Sequence, residues 1–210
     1  MTATPILWQP TPSEIEKSEL SNFANWVKSH HGFDWRDKYS NLWLWSVEYP
    51  DLFWDSIWQW HGVIGRKGKR LLINRDKIPG AQFFPDTILN FAENLLINAD
   101  GQAALSSHHE DGAIETLTRR ELKERVTALA GWMKSQGVVK GDRVAAYIPN
   151  IQQAVETMLA AASLGAIYSS CSPDFGFNGV FDRFSQIEPK LLVTVDGYFY
   201  AGKQICREDV

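Results

Sequence analysis

Between Arg143 and Val195 short apolar runs alternate with longer amphipathic ones. Arg143–Ile148, Ala166–Ser170 and Leu191–Val195 read as strands; Gln152–Leu164 and Val180–Ile187 read as helices. Such alternation, with short connections, predicts right-handed βαβ units on a mainly parallel sheet, hence an α/β fold. In that architecture the loops at the carboxyl ends of the strands open onto one edge, where ligands bind. Those loops are Pro149-Asn150, Ser169 to Gly179, and Asp196 to Lys203.

Upstream the pattern changes. Residues 103–108 and 113–117 alternate around Asp111-Gly112, a hairpin signal. Thr118-Arg119-Arg120-Glu121 is a capping box that opens a helix to about Gln136, ended by Gly137. Asp86 is the expected cap of an earlier helix carrying Ile88, Phe91 and Leu95 along one side. Leu71–Ile73 reads as a short strand. Nearer the start, Ser13 is the expected cap of a helix running to about His30, with Leu20, Phe23 and Val27 on one face. Two short helices, 40–48 and 51–60, are separated at Tyr49-Pro50. The pattern divides the chain into a helical cap (1–61), a connection (62–84) and an α/β body (85–210).

Composition narrows the classes. Of 210 residues, 44% are hydrophobic and 22% charged, the balance of an ordinary globular protein. A net charge of −4 argues against a nucleic-acid partner, which needs a basic footprint. Cys171 and Cys206 stand far apart, suggesting neither a disulfide framework nor a zinc site, which suits a reducing cytoplasm. The opening residues lack a basic segment followed by an apolar core, so no signal peptide is read there. Thr157 to Pro173 carries no charge, but it is short for a span, is interrupted by Gly165, and ends polar; a buried helix and strand account for it.

Tryptophan is the anomaly: nine in all, eight of them before residue 61. That density requires a substantial apolar surface to pack against. A membrane-docking face would carry Lys and Arg on its polar side, whereas this region carries Glu48, Asp51 and Asp55. A core face is therefore expected, with no membrane partner.

Several stretches offer chemistry. Gly62 to Arg70, with Arg66, Lys67, Lys69 and Arg70, has the composition of a phosphate loop or of a solvated turn. Gly197 to Gln204 almost matches a Walker A loop, but Gln204 stands where Ser or Thr must hold magnesium, and three aromatics occupy the loop. Asp174-Phe175-Gly176 matches the kinase magnesium tripeptide without the companion motifs, so it is read as ending a strand–loop and starting a helix. Asp182 and Arg183 are expected to pair with neighbours at i±4. The histidines (His30-His31, His61, His108-His109) show no metal-ligand spacing. No catalytic residue can be named.

The phrases "GVVKGDRVAAYIPN", "LGAIYSSCSPDFG", "VFDRFSQIEPKLLVTVDGYFYAGK" and "FFPDTILNFAENLL" resemble the N-terminal part of acyl-CoA synthetases of the adenylate-forming superfamily. "CSPDFG", "DRFSQIEPK" and "YFYAGK" point to the branch acting on acetoacetate. The resemblance implies a ligase using ATP, CoA and Mg2+, with an acyl-adenylate intermediate. It also implies a helical cap before the first part of the large AMP-binding domain. Tyr200-Ala201-Gly202-Lys203 stands where relatives place an Arg-Ala-Gly-Arg loop that contacts CoA, with Lys203 meeting a phosphate and Tyr200 replacing the first arginine. The superfamily's phosphate loop, ribose aspartate, hinge and catalytic lysine have no counterpart before Val210. The resemblance thus implies the N-terminal portion of a longer enzyme, inactive alone, binding no cofactor tightly, and completed by the remainder of its own chain.

Overall fold

The computed structural model describes residues 6–110 and 112–206, and the chain divides into two compact units at Leu89–Asn90. The first unit opens with α1 (Pro12–Glu16) and α2 (Glu19–His31). The expected single helix capped by Ser13 is two helices. Thr11 forms a capping box with Glu14, with Pro12 at the first helical turn, and Ser18 supplies a second cap through its hydroxyl to the Ser21 N–H. Next come α3 (Tyr39–Glu48) and α4 (Pro50–Trp60), broken at Tyr49-Pro50 as the sequence predicts.

Phe23 and Val27 from α2, Trp35, and Leu42 and Trp45 from α3 are buried together, with Phe53, Ile57 and Trp60 of α4 packed on them. Much of the apolar surface that these tryptophans require is therefore one another. Edge-on geometry recurs: Phe23 meets Trp60 at 6.0 Å between ring centroids and Trp45 meets Phe53 at 6.2 Å.

Beyond α4 the basic stretch runs to β1 (Leu72–Ile73), which pairs antiparallel with β2 (Gln82–Phe83). Here the phosphate-loop alternative fails. Arg66 and Ile88 exchange backbone hydrogen bonds of 2.8 and 3.1 Å, and a Cβ on Gly68 would collide with Asp86. The glycines are there so that residues 65–68 can lie against 86–89. Lys67 pairs with Asp55, and Arg70 grips Asp86 with two nitrogens, Nε at 2.8 Å from Oδ2. Asp86 is thus an ion-pair partner and not a helix cap. The cap is Asn90, whose Oδ1 accepts the Glu93 N–H at 3.1 Å at the start of α5 (Phe91–Leu95).

The second unit continues with β3 (Ala103–His108) and β4 (Ile114–Thr118), the expected antiparallel hairpin, although Asp111 lies outside the described residues. Helix α6 (Arg119–Ser135) starts on the Thr118–Glu121 capping box, and Gly137 at φ +80° follows its end. Then come β5 (Arg143–Tyr147), α7 (Gln152–Ser163), β6 (Ile167–Cys171), α8 (Phe177–Ile187) and β7 (Leu191–Thr194). The sheet is parallel throughout, in the order β6-β5-β7.

Period-two alternation makes β5 the centre of a three-layer sandwich. Val144 joins Val126, Met133 and Leu159 in the core formed with α6 and α7. Ala145 and Tyr147 join Phe184 of α8 in a second core. Small residues at 145 and 146, fully buried, let helices approach closely. At the amino-terminal edge of the sheet Arg143 donates to the carbonyls of Ile187 (2.7 Å) and Glu188 (3.1 Å), capping the end of α8. No helix among the described residues is long and apolar enough to cross a membrane.

Candidate functional site

The carboxyl ends of β5 and β6 lead into Pro149-Asn150, as the sequence predicts, and into Ser172 to Gly176, shorter than the expected Ser169 to Gly179 because β6 runs on to Cys171 and α8 starts at Phe177. The segment after β7 is different. Where the sequence predicts a loop, the chain forms a second hairpin: β8 (Gly197–Tyr200) pairs antiparallel with β9 (Lys203–Cys206). The alternating Tyr198, Phe199 and Tyr200 suit a strand. At Gly197 a Cβ would stand 2.9 Å from the Ile205 carbonyl oxygen, so glycine lets the two strands meet.

The four predicted site residues close this hairpin. Tyr200 and Lys203 are the last paired residues, and Ala201 and Gly202 form the two-residue turn at φ +51° and +72°. Positive φ at both positions suits the right-handed twist of a hairpin. Glycine adopts it freely, but Ala201 does so against its own Cβ. Pairing places the Tyr200 and Lys203 side chains opposite one another, and both residues are exposed.

Two contacts hold this region. The Glu110 carboxylate, at the tip of the β3–β4 hairpin, accepts the Ala201 N–H at 3.2 Å and the Gly202 N–H at 3.0 Å. The Tyr147 hydroxyl, at the end of β5, lies 2.7 Å from the Pro173 carbonyl and 2.8 Å from that of Phe175, and the Tyr198 hydroxyl reaches the same Pro173 carbonyl at 3.1 Å. Sequence reasoning missed Glu110 because the contact spans some ninety residues and no local pattern marks it.

Between the two hairpins and the sheet edge lies a cavity of about 590 Å³ whose lining includes Glu110, Asn150, Ser172, Asp174, Tyr198 and Tyr200. Its size is that of a small-molecule cleft. Asp174 accepts the Ser172 hydroxyl at 3.0 Å and Gly176 caps α8, so this tripeptide ends a loop and starts a helix as read from the sequence. Asp182 and Arg183 meet neighbours one turn away, as expected, through the backbone: Arg183 donates to the Gly179 carbonyl at 2.7 Å, Gln186 donates to that of Asp182 at 2.6 Å, and Arg183 lies 4.4 Å from the Phe175 ring centroid. Among the described residues no three His, Cys, Asp or Glu side chains gather to hold a metal ion.

The family model for "AMP-binding enzyme" matches residues 98–209. An acetoacetyl-coenzyme A synthetase of Rhizobium meliloti is 43% identical over all 210 residues of the chain, which cover 32% of that protein. One from Xenopus tropicalis is 41% identical over 96% of the chain and 30% of its own length. A malonamoyl-CoA synthetase of Penicillium aethiopicum is 34% identical over 94% of the chain and 28% of its own length. Among solved structures, an acetoacetyl-CoA synthetase from Streptomyces lividans superposes with a TM-score of 0.92 at 40% identity, over 98% of this chain and 32% of that one. The chain therefore spans about a third of the length of these relatives.

Proposed function

Because this chain belongs to the AMP-binding enzyme family, we propose that the complete protein is an ATP-dependent acid–CoA ligase converting acetoacetate to acetoacetyl-CoA. What carries the reading is likeness over the whole chain, 43% in sequence to one acetoacetyl-CoA synthetase and a TM-score of 0.92 to another. On this reading a carboxylate oxygen of acetoacetate attacks the α-phosphorus of ATP and pyrophosphate leaves, giving the acyl-adenylate. The CoA sulfur then attacks the acyl carbon, its proton is lost, and AMP leaves.

Within that reaction the chain supplies the sheet edge and the Tyr200-Ala201-Gly202-Lys203 turn, which on this reading contacts CoA. Lys203 offers an exposed ammonium to a phosphate. Tyr200 offers a ring to the adenine in place of an arginine. The turn amides already have a carboxylate partner, so the two side chains make the contact. Mg2+ accompanies ATP, and no residue of this chain is assigned to it. Cys171 and Cys206 are free thiols, which fits a cytoplasmic setting.

The malonamoyl-CoA synthetase relative favours a second acid. Malonamate and acetoacetate are both carboxylates with a carbonyl at C3, a chemistry that acetate and propionate lack. Pyrophosphate exchange by the complete enzyme, run with each of the four acids, tests the proposal. The highest kcat/KM with acetoacetate is expected. A preference for malonamate, acetate or propionate overturns the substrate, and no exchange with any acid favours a binding module that keeps the fold without the chemistry.

A further inference from the structure

We propose that Glu110 is a positioning residue for the Tyr200–Lys203 turn, holding Ala201 in a left-handed conformation that alanine does not favour and so setting out Lys203. Three observations converge on it. The two turn amides aim at one carboxylate, one oxygen each, at 3.2 and 3.0 Å. Ala201 sits at φ +51°, where a Cβ is disfavoured and an external partner is needed to hold the backbone. Described residues on either side of Glu110 are hydrogen-bonded. The His109 N–H donates to the Ala113 carbonyl at 2.9 Å, and the Gly112 N–H to that of His109 at 3.0 Å.

The chemistry favours a standing support over a vacant anion site. An ionised carboxylate accepting two backbone N–H groups makes charge-assisted bonds. A phosphate approaching the same amides would have to displace a like charge. With the amides satisfied, Lys203 remains the turn's cation for a ligand, and Glu110 acts on the ligand only through the turn's shape.

The inference rests on the CoA reading for its kinetic arm alone. The complete enzyme is prepared as wild type, Glu110→Gln, Glu110→Ala, Glu110→Ala with Ala201→Gly, and Lys203→Ala. Amide hydrogen exchange is followed at Ala201 and Gly202, and the apparent constant for CoA is measured beside ATP–pyrophosphate exchange. In Glu110→Ala, exchange at both amides should quicken and the CoA constant should rise, each roughly three- to tenfold. Glu110→Gln should fall between, and pyrophosphate exchange should not change. Adding Ala201→Gly should return the CoA constant toward wild type, because glycine takes the turn unaided. Unchanged amide exchange in Glu110→Ala overturns the proposal, as does a fall in the CoA constant, which would show the carboxylate competing with the ligand. Faster amide exchange with a steady CoA constant also overturns it if Lys203→Ala still weakens CoA. If Lys203→Ala is silent as well, the hold of Glu110 on the turn stands and the CoA reading of the turn falls.

Discussion

The hydroxyl of Tyr147, on the central strand, reaches the carbonyl of Pro173, in the loop after the neighbouring strand, at 2.7 Å. Its single hydrogen is shared with the Phe175 carbonyl at 2.8 Å, and Tyr147 itself is buried. One buried phenol thus fixes the shape of a loop that lines the sheet-edge cavity. Removing the hydroxyl leaves ring packing intact and strips the two carbonyls of this donor. Tyr147→Phe should lose about 1–2 kcal/mol of stability, read as a lower urea midpoint at unchanged m. An unshifted midpoint would mean that the hydroxyl adds nothing net.

Lys203→Ala in the complete enzyme should raise the apparent constant for CoA on the order of tenfold, the loss of one charge-assisted contact at an exposed site. Pyrophosphate exchange should keep its constants for ATP and acetoacetate, because that half-reaction uses no CoA. Paired titrations decide it; a mutant with an unchanged CoA constant removes the turn from the site.

The 210-residue chain by itself should release no pyrophosphate from acetoacetate and ATP above a no-protein control. Phosphoryl chemistry depends on positioning and charge stabilisation around the phosphates. On the family reading, the segments that supply both belong to the two thirds of the relatives that this chain does not span. Turnover by the chain alone would reverse that assignment.

Asp142 accepts the Lys190 ammonium at 2.9 Å and the Val139 N–H at 2.8 Å, and these bonds, the lysine's first, hold its carboxyl below the ordinary range. A depressed folded-state value gives stability that is present above the unfolded pKa of about 3.9 and is lost as the pH falls through the folded one. Asp142→Asn should therefore melt below wild type at neutral pH, with the gap closing under about pH 4. A gap that stays constant with pH would show that the charge contributes nothing there.

Local signals carried over faithfully. The Thr118–Glu121 box, the Tyr49-Pro50 break, the β3–β4 hairpin and all three parallel strands were readable because each is written in adjacent residues. Two of the misses share one cause, a partner distant in sequence. Asp86 carries the chemistry of a cap but is taken by Arg70. The loop after β7 was misread because the turn's first residue is alanine, which gives no hairpin signal, and because the carboxylate that holds it comes from another hairpin. The Ser13 error is of a different kind: three hydroxyl residues within a few positions competed, and Pro12 favoured the earlier start.

The strand order β6-β5-β7 also bears on how the chain assembles. The middle strand is made first. Its pairing with β6 closes one stretch of chain, and its pairing with β7 closes a stretch about twice as long, at an added entropic cost of about 0.6 kcal/mol. Until β7 exists, β5 keeps one edge of unpaired amides and carbonyls, backed by apolar Val144 and Ala145, and such an edge is a template for wrong partners. Lys190, just ahead of β7, reaches back to Asp142 and to the Gly137 carbonyl, and its own N–H meets the Arg143 carbonyl. The ion pair sits where the late strand must find its register, so substitutions at Lys190 should act on the yield of correctly folded protein during synthesis as well as on its final stability.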